Sequence, residues 1–369
     1  MPNVCGTRQY GVMDPDTLRT ARLRSHRLTA PARSVADAAR HMLAVQAQDF
    51  GAGRWALAAR AAGAPELSAV DRLFNRGTLV RAWTQRGTLH IIAAEDLAWM
   101  LSVTGERQLQ KAAPRYRELG LGHDQLATAE RVIRRALSGG NGLTRLELFD
   151  VLEKAGIEPS GQRGLFAVQN LALRGLICQG PVVPRPGGVS RDQQFVLTEE
   201  HIAESAAPSD PASEFFVRYI VGHGPATAED FAWWAGVTLG AARAAAAASV
   251  DDERIRQIDD GMFVASSMPR RNASAASVVA LGSFEEYYIS YSDRTIACPP
   301  ELLAAIGPGK NGMVRPIIIA DGVVVGTWRH STAVGRHTDG PVPEMLADGA
   351  ARGIDVYAAL HRYAAFIAG

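Results

Sequence analysis

Asn141-Gly142-Leu143-Thr144 and Gly224-Pro225-Ala226-Thr227 are two turns of similar design, and each opens a helix that ends in Ala-Gly, at Ala155-Gly156 and Ala235-Gly236. Thr144 caps a helix over Arg145 to Lys154, with Glu147 three residues on completing a capping box. Around this helix the spacing predicts two more, Gln125 to Ser138 and Gln162 to Arg174, the latter capped by Ser160 and stopped by Gly175. Two strands follow, Leu176 to Gln179 and Gln194 to Leu197, around a Pro/Gly-rich tip carrying Arg185 and Arg191. Three helices and a two-stranded hairpin make a winged helix.

The rhythm recurs on both sides. From about Pro211 to Ala265, helices beginning at Pro225-Ala226-Thr227 and at Leu239 precede strands Arg254 to Ile258 and Met262 to Ala265, joined at Asp259-Asp260-Gly261. From about Asp14 to Ala94, helices Val35 to Gln46 and Glu66 to Asn75 precede strands Thr78 to Thr84 and Thr88 to Ala93, with a wing turn at Gln85-Arg86-Gly87. After Ser277 the texture turns to strands: Val278 to Leu281, then Val314 to Ala320 and Val323 to Trp328 joined at Asp321-Gly322, a strong hairpin signal. Tyr357 to Ile367 reads as a terminal helix. The fold class expected is α+β, mainly α: three tandem winged helices (14–110, 111–205 and 206–270) around a C-terminal β-rich scaffold (271–369).

Composition narrows the class. Hydrophobic residues make up 47% and charged residues 21% of 369 residues, as in a globular protein with a sizeable core. No apolar run reaches the length of a membrane span and no secretion signal is read at the N-terminus, so a cytoplasmic location is expected. Cys5, Cys178 and Cys298 are too sparse for a disulfide framework or a zinc cluster, and no phosphate-binding loop, dinucleotide fingerprint or metal motif is found, so no cofactor and no metal is expected. Net charge is only +1, and the basic residues are nearly all arginine, with lysine only at 111, 154 and 310. Positive charge gathered on one face would still suit double-stranded DNA.

Ala44-Val45-Gln46-Ala47-Gln48-Asp49-Phe50-Gly51 places two amides and a carboxylate on apolar ground. In an unbroken helix Gln46 and Gln48 would point about 200° apart, so a shared site requires the helix to relax here. The string resembles the Gln-x-Gln catalytic motif of the AlkZ/YcaQ-like superfamily of winged-helix DNA glycosylases. The resemblance continues through Val80 to His90 (Val-Arg-Ala-Trp-Thr-Gln-Arg-Gly-Thr-Leu-His), Phe284-Glu285-Glu286-Tyr287-Tyr288, Asp293-Arg294, Arg315-Pro316, Asp321-Gly322 and Gly326-Thr327-Trp328-Arg329. It covers the chain from about residue 14 to the end. It implies three winged helices on a β-rich scaffold, a concave DNA channel, and excision of N7- or N3-alkylated purines, with Gln46 and Gln48 as the catalytic amides. Some members of the superfamily protect producers of DNA-alkylating antibiotics. Ala47 is smaller than the usual aliphatic residue at that position.

Asp49 is the nearest carboxylate and reads either as a general base or as the cap of a helix starting near Gly51. His90 reads either as a support to the site or as a structural strand histidine. Candidate DNA contacts are Arg86 at the wing turn, Arg163 on the third helix of the second module, Arg185 and Arg191 at its hairpin, Arg294, Lys310 and Asn311 in a Gly/Pro-rich loop, and Arg329 and Arg336 near the end. The function expected is monofunctional hydrolysis of the N-glycosidic bond of a cationic alkylpurine, including bulky adducts or interstrand crosslinks, by a monomer acting on duplex DNA. An open channel would make full base flipping unnecessary. The alternatives are a non-catalytic winged-helix regulator and an inactive relative that shields adducts; production of an abasic site separates both from a glycosylase.

Overall fold

The computed structural model describes residues 13–258, 261–268, 278–310, 312–346 and 355–369. In the first third lie α1 (Pro15–Ser25), α2 (Val35–Met42), β1 (Val45–Gln46), α3 (Phe50–Ala59), α4 (Leu67–Asn75), β2 (Leu79–Trp83), β3 (Leu89–Ala93) and the long α5 (Leu97–Glu118). Then follow α6 (His123–Leu137), α7 (Arg145–Lys154), α8 (Arg163–Leu173), β4 (Ile177–Val182), β5 (Gln193–Leu197) and a short α9 (Thr198–His201). The third group is α10 (Pro211–His223), α11 (Ala228–Ala235), α12 (Leu239–Ala248), β6 (Ile255–Gln257) and β7 (Phe263–Ala265). The C-terminal part holds β8 (Val278–Leu281), α13 (Glu286–Ile289), α14 (Leu303–Ile306), β9 (Ile317–Ala320), β10 (Val323–Arg329), β11 (Val342–Met345) and α15 (Val356–Ala368). This is the α+β, mainly helical class read from the sequence.

Local chemistry fixes the helix starts. Thr144 and Glu147 form the capping box of α7, and Thr227 with Asp230 forms the same device on α11. Gly236 ends α11 in the left-handed region at φ +69. Asp321 and Gly322, at φ +47 and +83, make the tight turn between β9 and β10. α8 departs from expectation: Gln162, at φ +77, sits at its cap position with no side-chain cap bond, so Ser160 does not cap it.

Two longer-range features lie outside local rules. First, the strands of the first two modules fuse into one antiparallel sheet ordered β1-β3-β2-β4-β5, in which β2 meets β4 at Arg81 opposite Gln179. Second, the helix expected over Val35 to Gln46 stops at Met42. Leu43 turns to φ +61, and β1 pairs with β3, Val45 opposite Ile91 and Gln46 opposite His90. The cause is packing. Leu43 and Ala44 enter the core built around α10 and α11, while Met42, Val45 and Ala47 enter the core shared by α3 and the C-terminal sheet. No regular helix can serve both cores over so few residues. The module boundary expected after residue 110 falls inside α5, and the one expected at 270 lies outside the described residues.

α3 is the keystone between the fused sheet and the C-terminal sheet, ordered β11-β10-β9-β8. Trp55 on α3 donates its indole N–H to Ala280 O on β8 (2.9 Å) and packs on Tyr363 and Phe366 of α15. On its other side Gly53 lies against the motif strand. A Cβ there would stand 2.6 Å from the Ala47 Cβ and 2.9 Å from Ile91 Cδ1. The small central residue of the motif therefore matches a glycine on the facing helix. Gly53→Ala is expected to lower the melting temperature, because overpacking of about 1–3 kcal/mol exceeds the gain of about 1 kcal/mol from better helix propensity. An unchanged or raised melting temperature in a thermal scan would show that α3 can draw away from the strand.

Candidate active site

Pairing puts alternate residues of the fused sheet on opposite faces. Val45, Ala47, Ile91, Arg81 and Gln179 share one face, in rows set by Val45 opposite Ile91, Ile91 opposite Arg81 and Arg81 opposite Gln179. Gln46, His90 and Ala82 share the other. The ladder runs one step beyond β1, where Ala47 N donates to Leu89 O (2.7 Å), and the chain then turns into α3 at Gln48 and Asp49.

The face bearing Gln46 is buried against the third module. Gln46 is 8% exposed, and its backbone N–H donates to Glu286 Oε1 (2.7 Å). Its side-chain oxygen accepts from Arg86 Nη2 (2.8 Å), and the other Arg86 nitrogen donates to Trp234 O. Glu286, fully buried, also accepts from Trp234 Nε1 (2.9 Å) and Ser290 Oγ (2.6 Å). Burial pushes the Glu286 carboxyl up from its ordinary pKa, against the opposing pull of Arg86. His90 Nδ1 lies 3.1 Å from Thr88 O, which can only accept, so Nδ1 carries the proton and Nε2 faces Arg86 Nη2 at 3.5 Å as an acceptor. Burial, then Arg86, holds the His90 pKa well below the usual histidine range. His90 is a neutral support to Arg86.

Gln48 and Asp49 are exposed and line a groove of about 1230 Å³ between α3 and the C-terminal sheet. Gln48 Oε1 accepts from Leu89 N (3.3 Å), one bond for an oxygen that can take two. Asp49 Oδ1 caps α3 by accepting from Ala52 N (3.1 Å). Arg81 holds the turn from below: Nε donates to Ala47 O (2.8 Å), Nη2 to Gln48 O (3.4 Å) and Nη1 to Gln179 Oε1 (2.9 Å). Burial pushes the Arg81 guanidinium down to about 10, so it is charged at neutral pH. Arg54, Arg81, Arg191, Arg315, Arg329 and Arg336 line the groove against Asp49 and Asp339. Arg54, fully buried, is paired with Asp71, Arg315 with Glu344 and Arg336 with Asp339, so the groove's excess positive charge rests on Arg81, Arg191 and Arg329.

The expected residues divide accordingly. Gln48, Asp49, Arg191, Arg329 and Arg336 meet at the groove, where Arg191 reaches across to Thr332 Oγ1 (2.5 Å) and Arg336 pairs with Asp339 (3.3 Å). Gln46 and His90 lie on the opposite sheet face and line neither of the two clefts that Gln48 lines. The expected DNA contact at Arg86 is corrected. The wing turn folds against Gly236, where a Cβ would stand 3.2 Å from Arg86 N, and the guanidinium is spent on Gln46 and Trp234. Arg163 is likewise half-buried, donating to Gly120 O (3.2 Å), because α8 packs on the turn between α5 and α6. Arg294 is half-buried between Trp233 and Tyr288, its guanidinium 5.2 and 5.4 Å from their ring centres. Arg185 and Lys310 are exposed and line neither cleft, and Asn311 lies outside the described residues. Sequence reading assigned no role to Arg54, Arg81, Arg315 or Glu286. A signal existed for two of them: Arg54 and Arg81 are lone charges within otherwise apolar segments, Phe50–Ala59 and Leu79–Trp83.

A family model described as DNA glycosylase AlkZ-like matches residues 39–366. The chain is 25% identical over 314 residues to the interstrand DNA cross-link repair glycosylase of Streptomyces sahachiroi, covering 80% of this chain and 82% of that protein. Its fold is similar to the solved structure of Streptomyces sahachiroi DNA glycosylase AlkZ, with a TM-score of 0.73 at 22% identity over 95% of this chain and 97% of that one.

Four buried histidines make acid pH a direct probe of this architecture. Burial holds His26, His90 and His223 well below the usual histidine range and His41 at about 4. The unfolded chain therefore binds more protons than the native one below pH 6.5, and stability falls as pH drops through that window. Each histidine contributes up to about 1.4 kcal/mol per pH unit. Glu286, raised in the fold, acts in the opposite sense, but one carboxyl faces four imidazoles. Denaturant midpoints are expected to fall steeply from pH 7 to pH 5; a flat profile would contradict neutral buried histidines.

Proposed function

The chain belongs to the AlkZ-like DNA glycosylase family and is a hydrolase of N-glycosidic bonds in DNA; from this premise we propose that it releases purines made cationic by alkylation at N7 or N3, with Gln48 and Asp49 acting on the attacking water. The observation that carries this reading is the exposure of both side chains on the wall of a groove lined by six arginines. Guanidinium groups contact phosphates without reading sequence, which suits an enzyme that must find a lesion anywhere.

The chemistry asks little of the protein. An N7- or N3-alkylpurine leaves readily, because heterolysis delivers the bonding pair to a ring that already carries a positive charge and leaves it neutral. The sugar passes through an oxocarbenium-like state. The protein's work is to hold water at C1′ and to stabilise developing positive charge. Gln48 Oε1 keeps one acceptor position after its bond to Leu89 N, and Asp49 keeps Oδ2 after capping α3. Gln46, with its oxygen bound by Arg86 and its backbone by Glu286, is proposed to set the path of the strand that presents Gln48. Neutral amides are too weak to expel an unmodified purine, which makes selectivity for cationic lesions a consequence. The groove's volume of about 1230 Å³ suits a bulky adduct, and the Streptomyces sahachiroi relative is named for cross-link repair; crosslinks joining the two strands are proposed as substrates here on the same ground.

Incubation with a duplex carrying one 7-alkylguanine, followed by hot alkali, is expected to give strand cleavage at the adduct. Gln46→Ala and Gln48→Ala should each lower base release by about 10²-fold or more while duplex affinity stays within a few fold. Unchanged release in both removes them from the reaction, and release of normal adenine at a similar rate contradicts the cationic selectivity. Asp49→Asn keeps an N-cap and removes the charge; it should retain the melting temperature and lose activity. Arg329→Ala should reduce the slope of log affinity against log salt by about 1.

A further inference from the structure

Gln48 stands between two clefts, and the smaller has no role in the reaction described above. It is a cavity of about 350 Å³, floored by the fused sheet and walled by α8. That volume is at the lower end for small-molecule sites. Its floor is unusual. A covered sheet face is expected to be apolar, yet Arg81, Gln179 and Gln193 sit on this one, each 8% exposed or less. Gln179 is satisfied by Arg81, and Gln193 donates to Gly180 O (2.8 Å). The side-chain oxygens of Gln193 and of Gln169 on α8 are buried without a hydrogen-bond partner. An unmet buried acceptor costs about 1–3 kcal/mol, and two at one cavity would both be met by a ligand that presents N–H donors. The remaining walls are flat: Trp83 lies parallel to Phe195 (16°, ring centres 6.4 Å apart), with Phe166 beside them.

We infer that this cavity receives the purine base itself, extruded from the duplex or retained after cleavage, with its N–H edge on the Gln169 and Gln193 oxygens and its ring against the aromatic wall. The inference rests on the glycosylase reading and revises the expectation that an open channel makes extrusion unnecessary. Charge supports the assignment. Arg81, Arg145 and Arg191 line the cavity against Asp192 alone. Before cleavage the alkylated ring is cationic. As the C1′–N bond breaks, the ring nitrogen keeps both electrons and the base becomes neutral, while water adds to C1′ and its proton passes to solvent. A site ringed by guanidinium groups disfavours the cation and tolerates the neutral base, so it favours the state in which the bond is broken.

The test is direct binding of free base to the intact protein by calorimetry, with 7-methylguanine as the probe. The comparison ligand is a dioxopurine methylated at 1, 3 and 7, which is flat and two heavy atoms larger but has no N–H donor. Saturable one-site binding of 7-methylguanine, at least tenfold tighter than the fully methylated ring, is expected. Gln169→Leu, on the half-buried α8 side chain, and Gln193→Met should each weaken it about 2- to 10-fold, the loss of one hydrogen bond, with unchanged duplex affinity on undamaged DNA; Gln169→Leu is the cleaner of the two, because Gln193→Met also removes the bond to Gly180 O. Absence of saturable binding, equal binding of the two rings, or unaltered affinity in both variants overturns the pocket. If such a protein still cleaves a 7-alkylguanine duplex, the glycosylase reading stands without it; loss of duplex cleavage in the wild-type chain counts against that reading and not against the pocket's chemistry alone.

Discussion

The site depends on how one edge strand is held. β1 pairs with β3 on one side only, so its outer backbone groups need partners from elsewhere. Glu286 supplies one, accepting the Gln46 N–H, and where the ladder to β3 ends Arg81 donates to Ala47 O. Arg86 completes the grip by tying the Gln46 side chain to the backbone of α11. The first module, the third module and the C-terminal part thus converge on Gln46 and Ala47. Buried charges are costly unless well bonded, and a chain that tolerates a buried arginine, a half-buried arginine and a buried glutamate here gains position in return.

The two sheet faces divide the labour. One carries Gln46 and His90 into a polar junction whose imidazole is neutral and whose arginine is bonded to Gln46 Oε1 and Trp234 O. The other carries the Arg81 guanidinium beneath the turn at Gln48 and opens onto the groove. Gln48 and Asp49 stand where the strand becomes α3, and that is why both are solvent-accessible while their neighbours Ala47 and Phe50 are not. Trp55, docking α3 onto β8 and α15, then fixes the width of the groove by setting the distance between that helix and the C-terminal sheet.

Much of the frame was legible because its signals are local. The Thr144 and Thr227 capping boxes, the Gly236 stop and the Asp321-Gly322 turn each follow from a few residues, and together they carry the repeat of three helices and two strands. The motif was legible as a string and not as a shape. A relaxed helix end was expected, whereas Leu43 breaks the helix early because its neighbours on either side must enter different cores. Arg86 and Arg163 read as wing and recognition-helix contacts in an isolated winged helix. Here the wings of the first two modules fuse edge to edge and the first wing turn lands on Gly236, so the outward surface of one unit becomes the inward surface of the next. No periodicity encodes that. The lone arginines in Phe50–Ala59 and Leu79–Trp83 were the available hint, since a charge inside an apolar element marks a partner elsewhere.

The clamped strand makes its claim at the deoxyribose. The most direct measurement is a crystal structure of the protein with a duplex bearing a cationic azasugar at the lesion position, a mimic of the oxocarbenium state. The predicted result is an ordered water hydrogen-bonded to the Gln48 amide oxygen and to Asp49, poised at the carbon that bore the base, with the Arg81 and Arg86 contacts intact. A sugar seated away from Gln48, with that amide bonded to Leu89 alone, would contradict it.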